Sequence, residues 1–197
     1  MNEELHSKIT DALVENGYIV IEDALSKQLT QKLFKHSQDE TSYKQAGISN
    51  KNNKHIDSTK RSDKTLWLDE DGGAVSEYLA FCEGLREYLN RSLYLGLTCY
   101  ESHFAIYDVG AFYEKHLDAF RGSSNRKVTT VFYLNEEWSK DDGGELIIYD
   151  EAGEALERVE PKANTFVVFL SDKFAHEVVV TKKKRHSIAG WFRVDKR

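Results

Sequence analysis

Apolar residues recur along this chain in two rhythms, and the change from one to the other divides it. In residues 3–16, Leu5, Ile9, Ala12 and Leu13 fall on one helical face, and Gly17 supplies a stop. Tyr18 to Glu22 (YIVIE) is rich in β-branched residues and predicts a short strand. A second helix follows, capped by Ser26, with Leu25, Leu29 and Leu33 turned inward. From about Ser37 to Lys64 the apolar rhythm stops, and the stretch, rich in Asn, Lys and Ser, reads as a long loop. Loops of that length are uncommon inside a domain and often functional. A plain surface insertion is the other reading, and both stand at this point.

Helical spacing returns over residues 74–91, with Val75, Tyr78, Leu79, Cys82, Leu85 and Leu89 on one face. Beyond it the period shortens. Leu97–Asp108, Lys127–Leu134, Glu145–Tyr149, Thr165–Phe169, Glu177–Thr181 and Ser187–Val194 are short β-rich runs separated by turn residues. The order predicts a mainly β fold with flanking N-terminal helices, a double-stranded β-helix or jelly roll. One domain over residues 1–197 is expected, with helical support over about 1–96 and the jelly-roll core over about 97–195.

Composition narrows the classes. A formal charge of −6 argues against broad nucleic-acid binding, which needs a basic face. No apolar run approaches the roughly 18–20 residues of a membrane span. The first residues, Met-Asn-Glu-Glu-Leu-His, are acidic where a signal peptide is basic and then apolar. Cys82 and Cys99 have no metal-like spacing to histidines and read as reduced core thiols. A cytoplasmic protein without nucleic-acid or membrane partners is therefore expected.

Two histidines and a carboxylate on one face of an octahedron are the known ligand set of mononuclear iron(II) oxygenases. His-x-Asp supplies two of them locally, because residues i and i+2 of an extended segment point the same way. The chain contains the pattern twice. His55-Ile-Asp57 lies in the polar stretch and reads as a solvated loop pair. His116-Leu-Asp118 follows the strand-like FAIYDVGAFYEK, where packing can fix a ligand pair. A third ligand has to come from a distant strand, and His176 stands at the entry to one. Alone it would be a packing residue; nine positions on, however, Arg185 opens another apolar strand. A planar guanidinium suits the far carboxylate of a chelating dicarboxylate cosubstrate better than an ammonium does. Lys182, Lys183 and Lys184 before it read as a solvated turn.

Tyr113-Glu-Lys-His116-Leu-Asp118, Val128-Thr-Thr-Val-Phe-Tyr133-Leu-Asn135, Trp138…Gly143-Gly144, and His176-Glu-Val to Trp191-Phe192 together resemble the oxygen-sensing type of prolyl 4-hydroxylase. These are 2-oxoglutarate- and Fe(II)-dependent oxygenases acting on hypoxia-inducible factor, with bacterial relatives of which one acts on elongation factor Tu. Arg61-Ser-Asp63-Lys-Thr-Leu-Trp67 is similar to a further signature of that group, so the likeness spans roughly residues 15–195. It implies Fe(II) held by His116, Asp118 and His176. It also implies 2-oxoglutarate and dioxygen as cosubstrates, with ascorbate as a reductant. Arg185 would pair with the distal carboxylate of 2-oxoglutarate, Tyr133 would hydrogen-bond it, and Tyr107 and Trp191 would line the pocket. Arg61, Asp63 and Trp67 would meet a protein or peptide substrate, elongation factor Tu being a candidate, or else Arg61 and Asp63 simply brace a loop. The implied reaction is prolyl hydroxylation with release of succinate and CO2. A hydroxylase of a free amino acid or small metabolite and a non-catalytic jelly-roll binding module are the alternatives. Nucleic-acid demethylation is disfavoured by the acidic balance, and halogenation by the carboxylate of Asp118. His6, His36, His103 and His186 are assigned structural or surface roles.

Overall fold

A computed structural model describes residues 2–50, 53–55, 59–69, 72–119 and 125–194, with the backbone alone at 2, 48–50 and 53–55. The chain opens with α1 (Asn2–Glu15), which ends at Gly17 in the left-handed region, φ +80. The short strand β1 (Tyr18–Ile21) and helix α2 (Lys27–Asp39) follow. Ser26 caps α2 as expected, its Oγ accepting from the Leu29 N–H at 3.1 Å. The long helix α3 (Gly73–Leu93) presents Val75, Tyr78, Cys82, Leu85 and Leu89 as its buried face.

Two antiparallel sheets make the jelly roll. The larger runs in the order β1, β11 (Phe166–Leu170), β8 (Arg126–Tyr133), β13 (Arg185–Arg193), β6 (Cys99–Tyr107), β5 (Lys64–Trp67), β2 (Lys44–Gln45). The smaller has the order β10 (Ala155–Val159), β9 (Leu146–Tyr149), β12 (His176–Val178), β7 (Tyr113–His116). The central strands of the larger sheet are covered on both faces, which is why β8 and β13 are buried along nearly their whole length. Phe104, Val128, Phe132, Ile188 and Phe192 join α1 and α3 in one core. The alternate residues Ala105, Tyr107, Val131, Tyr133 and Val167 join Leu146, Ile148 and Val178 of the smaller sheet in a second. Burying a side chain such as Phe132 completely contributes on the order of 2–3 kcal/mol.

The stretch expected to be one long loop departs from that reading. The helix α2 reaches Asp39, β2 pairs with β5, and β3 (Ile48–Asn50) pairs with β4 (Asn53–His55) as a separate hairpin. The reason is physical: Lys44 and Gln45 are both exposed, so no alternation of apolar and polar residues marks their strand. Strands β1, β2 and β5 also carry part of the first 96 residues into the larger sheet. Cys82 is buried and Cys99 half-buried, both as free thiols. No helix among the described residues is long and apolar enough to cross a membrane.

Close approach decides one position. A Cβ on Gly190 would lie 2.1 Å from the Tyr100 hydroxyl and 2.9 Å from the Ser102 Cβ. The Tyr100 hydroxyl cannot retreat, because it bonds Thr130 at 2.8 Å and Tyr78 at 3.2 Å between α3 and the larger sheet. Gly190→Ala should therefore destabilise the chain by about 1–3 kcal/mol, as overpacking of a core does. That lowers Tm by roughly 2–4 °C per kcal/mol for a chain of this size, measurable by scanning calorimetry.

The buried His186 sits between α2 and the larger sheet. Ser37 donates its single proton to the Phe34 carbonyl, so His186 Nδ1–H must donate to Ser37 Oγ at 2.9 Å. Burial pushes its pKa down from 6.5 to about 4, and Lys184 adds to the shift. The unfolded chain therefore takes up this proton at a higher pH than the folded chain. Stability from this group is complete above about 6.5 and is lost as pH falls towards 4, at up to about 1.4 kcal/mol per pH unit. Denaturant titrations across that interval should show the fall, and a flat profile would contradict it.

Candidate metal centre

Strands β7 and β12 pair antiparallel with His176 directly opposite His116. Their rings approach to 4.3 Å between centroids. Asp118, two residues past His116, turns to the same side: its Oδ1 lies 3.6 Å from His116 Nε2 and its Oδ2 3.5 Å from His176 Nε2. One ligand atom from each of the three residues lies within 4.8 Å of the others.

Hydrogen bonding sets the state of each group. His116 Nδ1 lies 2.7 Å from the Glu114 carbonyl and His176 Nδ1 3.2 Å from the Phe174 carbonyl. A carbonyl only accepts, so both Nδ1 atoms carry protons and both Nε2 atoms face the centre. Burial, then the neighbouring His176, holds the His116 pKa well below the ordinary histidine value, so the ring stays neutral. Burial alone would raise the Asp118 pKa. His176, His116 and the nearby Trp191 and Arg126 outweigh it and keep the carboxylate ionised. Two imidazoles and one carboxylate fit iron(II) by donor chemistry. The rings are packed in place: Tyr113 stacks on His116 at 3.6 Å and 17°, and Phe169 meets His176 edge-on at 4.8 Å.

At the opposite end of β13 lies Arg185, 1% exposed and across from Tyr107. Its Nε donates to the Gly144 carbonyl at 2.9 Å and its Nη1 to Ser187 Oγ at 3.1 Å. The rings of Tyr107 and Tyr133 flank it at 4.7 and 5.0 Å. No carboxylate among the described residues pairs with it. The Tyr133 hydroxyl is fully buried and has no hydrogen-bond partner there. Burial raises its pKa to about 12 against the pull of Arg185, so it remains an O–H donor. A buried guanidinium beside an unmatched donor suits the far carboxylate of 2-oxoglutarate. The small residues Ala105, Ser187 and Ala189 occupy the same wall between Arg185 and Trp191.

Residues 102–193 match the 2OG-Fe(II) oxygenase superfamily. A Pseudomonas putida prolyl-4-hydroxylase structure superposes with a TM-score of 0.87 at 35% identity, over 96% of this chain and 99% of that one. The chain belongs to the 2OG-Fe(II) oxygenase superfamily. A Trichoplax adhaerens prolyl hydroxylase, solved with a peptide of the hypoxia-inducible factor oxygen degradation domain, shares the fold. Its TM-score is 0.85 at 24% identity, covering 98% of this chain and 90% of that one. Human Egl nine homolog 1 is 27% identical over 93% of this chain, which spans 45% of that relative's length.

The remaining residues singled out in the sequence fall around this centre. Arg61 and Asp63 form a two-bond ion pair at 2.8 and 2.7 Å, and the Arg61 guanidinium lies 4.2 Å above the Tyr113 ring. Trp67 is half-exposed, 5.2 Å from His103 and 6.5 Å from Trp191. Of the second His-x-Asp match, Asp57 lies outside the described residues and His55 is placed by backbone alone, at the end of β4. Three participants were not read from the sequence. Arg126 stacks on Trp191 at 3.7 Å and bonds Glu101, and Thr129 donates to Asp118. His103, assigned a structural or surface role, is buried in the pocket wall between two tryptophans, and burial lowers its pKa to about 4. Its signal was available, since His103, Ala105 and Tyr107 alternate along one face of β6.

Replacing Arg185 with Lys keeps the charge and loses the two-pronged geometry, so 2-oxoglutarate binding should weaken by about 1.5–3 kcal/mol. That is a rise of roughly ten-fold or more in its apparent KM, with a smaller rise for Tyr133→Phe. Steady-state assays of succinate formation would measure both, and unchanged dependence in the Arg185 variant would place the cosubstrate elsewhere.

Proposed function

We propose that this chain is an Fe(II)- and 2-oxoglutarate-dependent dioxygenase that hydroxylates a prolyl residue of a protein substrate. What carries the reading is the pairing of two sites in one barrel: the cluster of His116, Asp118 and His176, and a buried arginine with no carboxylate partner among the described residues. The prolyl target is supported by the likeness to the Pseudomonas putida prolyl-4-hydroxylase along almost the whole chain. His116, Asp118 and His176 would hold the iron and leave its other positions open. Arg185 and Tyr133 would hold the distal carboxylate of 2-oxoglutarate in a dry setting, where a charge-assisted bond is strong. When bound, iron and cosubstrate supply the oxidative chemistry: one oxygen atom of dioxygen ends in succinate and the other in the new hydroxyl group, with CO2 released.

Substrate recognition would fall to the mouth. Trp67 offers an exposed aromatic face, whereas Arg61 and Asp63 are committed to each other and brace the base of the polar segment. The same proposal takes elongation factor Tu as first candidate substrate, ascorbate as reductant and the cytoplasm as location.

Purified chain given Fe(II), 2-oxoglutarate and oxygen should form succinate even without substrate. His176→Ala should abolish turnover while the protein still unfolds cooperatively, since packing, not metal, closes the barrel. Mass spectrometry of candidate proteins after incubation should find one added oxygen on a proline. Efficient hydroxylation of free proline or another small metabolite, with no protein modified, would hand the case to the metabolite-hydroxylase reading.

A further inference from the structure

The three proposed ligands are not held alike. His116 ends β7 and His176 begins β12, so a backbone ladder fixes both. Asp118 lies beyond the end of β7 and has no ladder of its own. Its side chain is nonetheless nearly buried, so its orientation has to come from side-chain contacts. Thr129 of β8, on the opposite sheet, supplies one: its Oγ1 lies 2.8 Å from Asp118 Oδ2. The same oxygen lies 2.9 Å from Ser171 Oγ, in the turn after β11.

The proton count orders these bonds. An ionised carboxylate only accepts, so the single proton of Thr129 is committed to Asp118. Ser171 must then donate to Thr129, and the chain runs Ser171 to Thr129 to Asp118. Both hydroxyls are buried, at 0% and 1% exposure, where an unmatched hydroxyl would cost about 1–3 kcal/mol. Ser171 is itself held, its N–H donating to the Lys127 carbonyl at 3.0 Å. Valine would fill the place of Thr129 with nearly the same shape in this apolar strand, so packing alone does not call for threonine.

We infer that Thr129 and Ser171 are positioning residues: a two-hydroxyl relay that ties the carboxylate of Asp118 to the larger sheet and sets it towards the two histidines. The inference rests on the proposed ligand role of Asp118. The relay fixes the carboxylate torsion before metal arrives, so less ordering remains to oppose binding. Partners of this kind typically matter 10- to 100-fold in metal affinity or activity, by about the measure of known outer-shell groups.

The test is Mn(II) titration of the full chain, following free Mn(II) by electron paramagnetic resonance, with thermal unfolding recorded for each variant. Thr129→Val should weaken Mn(II) binding about ten-fold or more. Thr129→Ser, which keeps the hydroxyl, should restore affinity towards that of the unaltered chain, and Ser171→Ala should weaken it less than Thr129→Val. Unchanged Mn(II) affinity in folded Thr129→Val overturns the relay, as does a folded Thr129→Ser that binds no better than the valine variant. Should Thr129→Val fail to fold, Ser171→Ala decides: weakened Mn(II) binding at unchanged Tm supports the relay, and unchanged binding overturns it. Asp118→Ala separates the two levels. Its loss of Mn(II) binding beside an unaffected Thr129→Val leaves the ligand assignment standing and removes the relay. Retained Mn(II) binding in Asp118→Ala removes both.

Discussion

The register that sets His176 across from His116 governs the metal centre. Side chains alternate along a strand, so a slip of one residue between β7 and β12 would turn one imidazole out of the centre. Two features hold the register. The three-residue β12 is paired on both sides, with β9 as well as β7, and Val178 at its end is buried against the larger sheet. The smaller sheet thus acts as a frame. Its inner residues Leu146, Ile148 and Val178 pack on Val131, Val167 and Phe169, while its rim carries His116 and His176. Metal-binding geometry is then a by-product of how two sheets close.

Charge placement follows from that closure. A guanidinium removed from water without a carboxylate partner costs several kcal/mol in a barrel interior. Arg185 offsets part of this through the Gly144 carbonyl, the Ser187 hydroxyl and two aromatic faces, none of which neutralises it. Had a carboxylate been built in, an incoming anion would have to displace it. The His116 imidazole obeys the same economy, because burial and the neighbouring His176 lower its hold on a second proton. Local rules of stability are relaxed at two points of the barrel, and both are points where a ligand would restore the balance.

Most of the fold was legible because most of it is periodic. The three helices and the strands β6, β8, β11 and β13 bury residues in regular patterns that survive without a structure. The strands β2, β3 and β4 were not legible, since backbone pairing among lysines, asparagines and glutamine leaves no apolar trace. The cluster of His116, Asp118 and His176 could be read because His-x-Asp is local and His176 stands at a strand entry. Thr129, Ser171, Arg126 and Glu101 could not, because each acts through a residue on another strand. Thr129 reaches Asp118 across the barrel, and Arg126 reaches Trp191 across a ladder whose register no single sequence states.

The base of the polar segment is tied to the sheet edge that carries His116. The strand β7 is the edge of the smaller sheet, and an exposed edge invites wrong pairing. Residues 60–62 cover it through backbone bonds, from Glu114 N–H to the Lys60 carbonyl and from Ser62 N–H to the Phe112 carbonyl. Arg61 adds a cation over Tyr113, and Tyr113 in turn is the platform for the His116 ring. Asp63 is wholly buried and accepts from Nε and Nη2 of Arg61, so the pair can neither leave nor be repurposed cheaply. Anchoring is therefore complete by Asp63 and depends on backbone and one ion pair rather than on the tip of the segment. A change at the tip therefore leaves this anchoring, and the His116 ring stacked on Tyr113, where the sheet put it.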